Sequence, residues 1–416
     1  MKDKTTRKAW MVVALLFVVA MLNYLDRTMI VTMRESLVSQ IRMTDAQFGL
    51  LTAVFLWIYG LLSPFAGFVA DRFKKSHVII GSLFVWSLVT WMTANAQTFE
   101  QLLLTRALMG VSEAFYIPAA LSLIIDYHRG PTQSLATGLH ISGTMVGSSM
   151  GAIGGWIAEK YLWNNAFTIF GIIGIVYSVF LFFTLKEAPT KLSSTPQQHE
   201  VKRNIRFTDA LKALFSRPSF SYLLLFWCMA SIVSWMVVSW LPTYYKEHFN
   251  LSQSLAGLYA TTFLYPASIV GLIVAGFVSD RWNRKSPYSR VFVPAIGLSI
   301  AAPCVFMGSY TAVLGMAVVF FLIYGLTRMT VDSNLMPVLN TLVDGRYRAT
   351  GYGILNMLAT TVSGIGIYAA GAMRDANIRM ELIFRYASFF ILICVFLLLL
   401  VKIDMKKTLK KHGHET

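Results

Sequence analysis

The sequence predicts an all-α integral membrane protein, with twelve transmembrane helices in two pseudo-symmetric six-helix bundles. Three observations carry that expectation. Hydrophobic residues make up 56% of the 416 residues and charged residues only 13%, with a mean hydropathy of +0.59; a soluble domain is roughly 45–50% apolar and about 25% charged. Apolar runs of the roughly 20 residues needed to cross a bilayer recur twelve times. A charged stretch, Gly67–Lys75 (GFVADRFKK), returns as Gly276–Lys285 (GFVSDRWNRK), which marks two similar halves.

The first half holds spans at 9–33, 46–70, 77–96, 101–125, 133–157 and 165–185. The second holds 219–245, 253–279, 290–309, 311–340, 347–372 and 382–402. The domain plan is therefore an N-terminal bundle over 1–185, a cytoplasmic linker over 186–218, and a C-terminal bundle with a cytoplasmic tail over 219–416. The linker is the one long polar connection. Its middle has the composition of an unstructured segment, and Phe207–Leu214 has the pattern of a short surface helix. The first apolar run shows no small-residue cleavage site and is expected to stay as a span.

The net charge of +16 does not point to nucleic acid, because the basic residues lie in short clusters between apolar spans. Placing both termini and every second loop in the cytoplasm collects most of the lysines and arginines there. Left outside are Arg34, Arg42, Lys160, Lys246, Arg374, Arg379 and Arg385. The last three run against the rule, all around the connection between the final two spans. Cys228, Cys304 and Cys394 sit singly in apolar runs, so neither a disulfide framework nor a metal site is expected.

The repeat extends beyond the charged stretch. Gln47-Phe48-Gly49-Leu50 parallels Leu255-Ala256-Gly257-Leu258. Thr105-Arg106 with Pro118 parallels Thr327-Arg328 with Pro337, and Ala136-Thr137-Gly138 echoes Ala349-Thr350-Gly351. Two six-span halves in parallel repeat are a transporter plan with the substrate site near the midplane. Span 5 carries Gly138, Gly143, Gly147, Gly151, Gly154 and Gly155, a spacing that lets helix backbones approach closely. Glycines at 351, 353, 364, 366 and 371 repeat the theme in span 11.

Charges inside a span are costly and mark candidate functional residues. Asp26 and Arg27 are adjacent in span 1. Arg106 and Glu113 are two helical turns apart in span 4 and share one face. The economical arrangement sets both pairs in a central cavity where opposite charges offset their desolvation. It also has a use. Burial favours a protonated carboxyl group and a nearby guanidinium favours the ionised one, so an organic anion competing for the arginine couples its own binding to that of a proton. Asp26 and Glu113 are thus candidate proton-coupling residues, and Arg27 and Arg106 candidate substrate ligands; a static ion-pair brace is the competing account. Tyr24, Tyr59, Tyr116 and His140 are candidate lining residues, as are Asn334, Asn340 and Asn356 in the second half. Arg328 and Asp332, four apart in span 10, have the spacing of an i,i+4 pair.

The duplicated G-x-x-x-D-R stretch between two spans resembles the signature loop of the major facilitator superfamily. In cytoplasmic loops, Asp71, Arg72, Asp280 and Arg281 have the position and charge to latch the bundles as a gate. Asn23-Tyr24-Leu25-Asp26-Arg27 resembles the N-Y-x-D-R element of the superfamily's anion:cation symporter branch, which includes sugar-acid permeases and sialin. Arg106 to Tyr116 is similar to that branch's R-x-x-x-G-x-x-E-A element, and Trp240-Leu241-Pro242-Thr243-Tyr244 also looks like it. The resemblance implies proton-coupled symport of a small carboxylated solute, a sugar acid or sialic-acid-like compound, by alternating access. Spinster-type lysolipid transporters share the first two elements and are the rival resemblance. A non-transporting membrane receptor or scaffold is a reading of another class. No enzyme signature and no phosphate-cradling G-x-x-x-x-G-K-[ST] appears. The expectation is a monomeric transporter in a bacterial inner membrane, with no cofactor, no metal and ion-gradient drive.

Overall fold

A computed structural model of the protein describes residues 2–128, 132–188, 207–286, 288–344 and 347–411. The middle of the expected linker and the last residues of the tail lie outside the described residues. Among the described residues the regular structure is entirely helical. Eleven helical segments there are long and apolar enough to cross a membrane.

The first half begins with α1 (Lys2–Thr32), then the short α2 (Arg34–Gln40) and the long α3 (Asp45–Arg72). A reciprocal cap starts α3: the Gln47 N–H donates to Thr44 Oγ1 at 3.2 Å, and the Thr44 N–H donates to Gln47 Oε1 at 2.9 Å. After α4 (Lys75–Thr93), the Thr98 hydroxyl caps α5 (Phe99–Ala114), accepting from the Gln101 N–H. These two caps fix the entry of the helices that later supply an aromatic cage and a carboxylate.

Expected span 4 forms as α5 followed by α6 (Tyr116–Tyr127). Pro118 has no N–H for the Ala114 carbonyl, four residues back, and its ring crowds that carbonyl, so α5 ends at Ala114. Expected span 5 is also split, into α7 (Gln133–Met150) and α8 (Ala152–Lys160), and no proline is involved. The Thr32 hydroxyl inserts into the ladder, accepting from the Gly155 N–H at 3.1 Å and sharing its proton between the Gly151 carbonyl at 2.8 Å and the Met29 carbonyl of its own helix at 2.7 Å. Such an insertion bends a helix. The half closes with α9 (Trp163–Thr184).

The second half runs through α10 (Phe207–Phe215), the surface helix expected from the sequence, and α11 (Pro218–His248). Then come α12 (Gln253–Thr262) and α13 (Leu264–Asn283), which divide four residues before Pro266 as α5 and α6 do before Pro118. The chain ends with α14 (Ser289–Tyr310), α15 (Leu314–Leu342), α16 (Arg348–Asp375) and α17 (Met380–Lys411).

Contacts divide the chain into two compact units. The first is Met1–Glu200 with Leu241–Thr262; the second is Val201–Trp240 with Phe263–Thr416. Helix α11 therefore begins in the second unit and ends in the first.

In the first unit α7 and α8 lie along α1 with almost no side-chain layer between. A Cβ placed on Gly147 would fall 2.0 Å from the Met21 carbonyl oxygen, and one on Gly143 2.7 Å from that of Phe17. The core behind them gathers Leu16, Leu83, Trp86, Tyr116 and Leu123, all fully buried. In the second unit α13 approaches α15 in the same way: a Cβ on Gly271 would fall 2.0 Å from the Leu326 carbonyl oxygen. The glycine theme is thinner in α16, where Gly366 meets Ile232 while Gly353 has nothing within 4 Å.

Gly147→Ala must push α1 and α7 apart, since the obstacle is backbone. Overpacking of this kind costs about 1–3 kcal/mol, expected as a lower melting temperature of the detergent-solubilised protein. Gly81→Ala, with nothing within 4 Å of the new methyl, is the matched control and is expected to shift stability by no more than about 0.5 kcal/mol.

Candidate functional site

Helix α1 carries Asn23, Tyr24, Asp26 and Arg27 within five residues near its end. Asn23, Asp26 and Arg27 are buried, as are Arg106 and Glu113 of α5. The Arg27 Nε donates to Glu113 Oε2 at 2.6 Å, a buried ion pair with side-chain exposures of 5% and 0%. The spacing of Arg106 and Glu113 left open which arginine the carboxylate would face; the partner is Arg27.

Three rings surround the Arg27 guanidinium. Tyr24 stands 4.6 Å from it, Tyr59 4.7 Å and Phe55 4.8 Å, measured to ring centroids. An arginine stacked on aromatic faces is held in orientation at little entropic cost. Phe55 also lies 5.0 Å from the Arg106 guanidinium, so one α3 ring spaces two like charges. Arg106 is turned inward, its Nε donating to the Leu51 carbonyl at 3.4 Å and its Nη1 meeting Met109 Sδ at 3.0 Å. On α4, the Thr90 hydroxyl donates to Asp26 Oδ2 at 3.1 Å.

The cluster is only partly satisfied internally. Asp26 Oδ1, Arg27 Nη2, Arg106 Nη2 and Glu113 Oε1 are buried without a hydrogen-bond partner. Buried polar atoms are nearly always paired, and each unpaired one costs about 1–3 kcal/mol. Four such atoms lie on four charged side chains of this one cluster, as unused donor and acceptor capacity.

Six expected site residues thus come together: Tyr24, Asp26, Arg27, Tyr59, Arg106 and Glu113. Tyr116 and His140 lie elsewhere in the same unit. Tyr116 is in the core, edge-on to Trp86, with its hydroxyl 2.9 Å from both the Leu16 carbonyl and His140 Nε2. Tyr116 thus bonds to Leu16 and His140 rather than to any of the six, and His140 Nδ1 is buried without a partner. Phe55 and Thr90 were not singled out by sequence. Thr90 shares its span with Ser82, Ser87 and Thr93 and is not set apart from them, and Phe55 has no signal that sets it apart from the other 28 phenylalanines.

In the second unit Asn334 is buried and donates to the Thr330 carbonyl at 2.8 Å and to Ser333 Oγ at 3.0 Å, leaving its Oδ1 unpartnered. Asn340 is exposed and its carbonyl accepts from Arg348. Asn356 is half-buried, its carbonyl taken by the Thr360 hydroxyl at 2.6 Å. The i,i+4 pair expected between Arg328 and Asp332 does not form. Arg328 Nη1 donates instead to Ser234 on α11, and Asp332 is exposed.

Of the four expected gating residues, the side chain of Asp71 lies outside the described residues. Arg72 is exposed, 5.9 Å from the Phe68 ring. Asp280 pairs with Arg290 at 3.5 Å, and Arg281 is exposed. An ion pair that sequence reading did not find, Lys75 with Asp126, ties the start of α4 to the end of α6.

A second charged network holds the Leu241–Thr262 stretch within the first unit. Lys246 pairs with Glu35 at 3.0 Å, and Arg34 pairs with Asp45 and, at 3.6 Å, with Glu247. Gln253 Nε2 donates to Ser36 Oγ at 2.9 Å and to the Gly155 carbonyl at 3.2 Å. The Ser254 N–H donates to Glu159 Oε2 at 2.6 Å. Partial burial works against the charge of Glu159, yet the bonds from Ser254 and Ser252 hold its carboxyl below the usual range. Partly exposed pairs are each worth about 0.2–1 kcal/mol. Lys246→Glu is expected to lower the melting temperature modestly, with Glu35→Lys on the same chain restoring it.

Two helical units, eleven membrane-length helices among the described residues and a buried cluster of mixed charge are the features of an integral membrane protein. The chain belongs to the Major Facilitator Superfamily, whose model matches residues 16–367 and 246–415. Among curated relatives, protein spinster homolog 1 of Xenopus tropicalis is 26% identical over 316 residues, covering 71% of this chain and 59% of that protein's own length. The hexuronate transporter of Bacillus subtilis (strain 168) is 25% identical over 382 residues, covering 88% of this chain and 87% of that protein. Among solved structures, a bacterial homologue of the human lysosomal transporter Spinster, inward-facing and unoccupied, superposes with a TM-score of 0.78. It is 22% identical and covers 96% of both chains, which shows a shared fold.

Proposed function

We propose that the protein is a secondary active transporter that couples a proton to the symport of a small organic anion, a sugar acid or sialic-acid-like carboxylate, by alternating access. The observation that carries the proposal is the buried Arg27–Glu113 pair with unpartnered atoms on both sides of it. A solute carboxylate arriving at Arg27 takes over the guanidinium edge that Glu113 holds. Removing one partner of a buried pair leaves the other charge uncompensated, at a cost of about 3–5 kcal/mol. Protonation of Glu113 relieves that cost, so solute and proton bind together and leave together. Asp26, buried beside Arg27, is the second proton-coupling group. Arg106 supplies positive charge that acts on both carboxylates.

The relatives named as hexuronate and D-galactonate transporters support the sugar-acid assignment. The proposal includes a bacterial inner-membrane location with both termini cytoplasmic, a monomer as the working unit, and Asp71, Arg72, Asp280 and Arg281 as a cytoplasmic gate. A second reading, Spinster-like transport of a lysolipid, is favoured by the spinster relatives and by the Spinster-homologue fold. A thermal-shift panel on the purified protein separates the two. A ligand at 100 times its Kd stabilises by about 2.7 kcal/mol, so sugar acids are expected to raise the melting temperature by several degrees. Stabilisation by lysophospholipids and by no sugar acid assigns the lipid reading instead.

A further inference from the structure

Arg328 sits at the centre of α15, which runs Leu314–Leu342. A guanidinium at the middle of a membrane span is costly and is ordinarily matched by a carboxylate. Here, among the described residues, no carboxylate reaches ion-pair distance, and Asp332, one turn further along α15, acts on Arg328 only through the field between them. Its Nη1 is held by the Ser234 hydroxyl of α11, and its Nε is buried without a partner. Tyr324, one turn back on α15 and buried, lines the same contact.

The internal repeat sharpens the point. Thr327-Arg328 stands in the second half where Thr105-Arg106 stands in the first. Both threonine hydroxyls bond back to their own helix, Thr105 to the Leu102 carbonyl at 2.9 Å and Thr327 to the Ile323 carbonyl at 2.8 Å. Seven residues after Arg106 comes Glu113; seven after Arg328 comes Leu335, which is buried. The second half keeps the arginine and lacks a carboxylate at that spacing, with Asp332 four residues on and not in ion-pair contact.

We propose that Arg328 is an anion-binding residue of the second unit, taking a carboxylate or phosphate group of the transported solute through its unpartnered guanidinium edge while Ser234 holds its orientation. Asp332, exposed one turn further along α15, accepts from hydroxyl groups of the same solute. The inference deepens the proposed function and rests on it. A hydroxyl partner keeps the guanidinium in place without taking up its charge, so the arriving anion forms a charge-assisted hydrogen bond with it.

The test is equilibrium binding by the full-length protein in nanodiscs, with D-glucuronate and lysophosphatidate as separate probes. Arg328→Gln is expected to weaken binding of the anion about tenfold or more. Arg328→Lys is expected to recover part of the loss, and Ser234→Ala, which frees the guanidinium, to weaken binding severalfold. Glucuronate binding by Arg328→Gln within twofold of the wild type overturns the inference and leaves the transport proposal standing. Wild-type binding of lysophosphatidate alone, lost in Arg328→Gln, overturns the sugar-acid proposal and keeps the inference. A wild type that binds neither probe overturns both. Should Arg328→Gln not fold, unchanged binding in Ser234→Ala overturns the inference.

Discussion

Glu113→Gln is expected to abolish accumulation of the solute against its gradient while leaving exchange of labelled for unlabelled solute intact. The glutamine carbonyl still accepts from Arg27 Nε at the position now 2.6 Å away, so the cage of Tyr24, Phe55 and Tyr59 keeps its arginine. On the proposed mechanism, what is lost is the ability to carry a proton. For one coupled proton, a pH gradient of one unit is worth about 1.4 kcal/mol, or about tenfold accumulation. The variant is expected to reach the equilibrium level and no more, whatever the pH difference. Full pH-driven uptake by Glu113→Gln would remove that residue from the coupling mechanism and leave Asp26 as the carrier to test.

Arg27→Leu is the second large effect, and it is a stability effect as well as a transport effect. It leaves Glu113 buried at 0% exposure without its partner, which costs about 3–5 kcal/mol while the carboxylate stays charged. Transport is expected to fall to background. Replacing both members by Leu is expected to restore most of the stability, because an apolar pair of similar volume is often neutral or stabilising, but no transport. Thermal melting of the two single variants and the double variant gives the coupling energy directly. Near-additive losses would show that the two side chains do not interact as the 2.6 Å contact requires.

Much of this was legible in the sequence. Composition, run length and the duplicated G-x-x-x-D-R stretch were enough for the fold class, because burial of backbone polar groups in lipid leaves few alternatives to a helical span. The rule that a charge inside a span is a functional candidate found Asp26, Arg27, Arg106 and Glu113. What it could not supply was the pairing. Arg106 and Glu113 share a helix face by spacing, yet Glu113 meets Arg27, 86 residues away in the chain, and that depends on the rotation of α5 against α1. Phe55 lies between two arginines and looks like any other phenylalanine. The break in span 5 depends on a hydroxyl from another helix, Thr32, reaching between Gly151 and Gly155. Glycine spacing pointed to close approach there but not to the insertion. Likewise the charges at 34–35 and 246–247 are visible, but only the fold brings them together.

The most direct test of the central claim is uptake into proteoliposomes. The purified protein is reconstituted and given radiolabelled sugar acids, among them D-glucuronate and D-galactonate, under an inward proton gradient, with internal pH followed at the same time. Coupled symport predicts accumulation above equilibrium for at least one acid, proton entry in step with it, and loss of both on addition of a protonophore. Failure of every acid in the panel to accumulate or to move protons would contradict it.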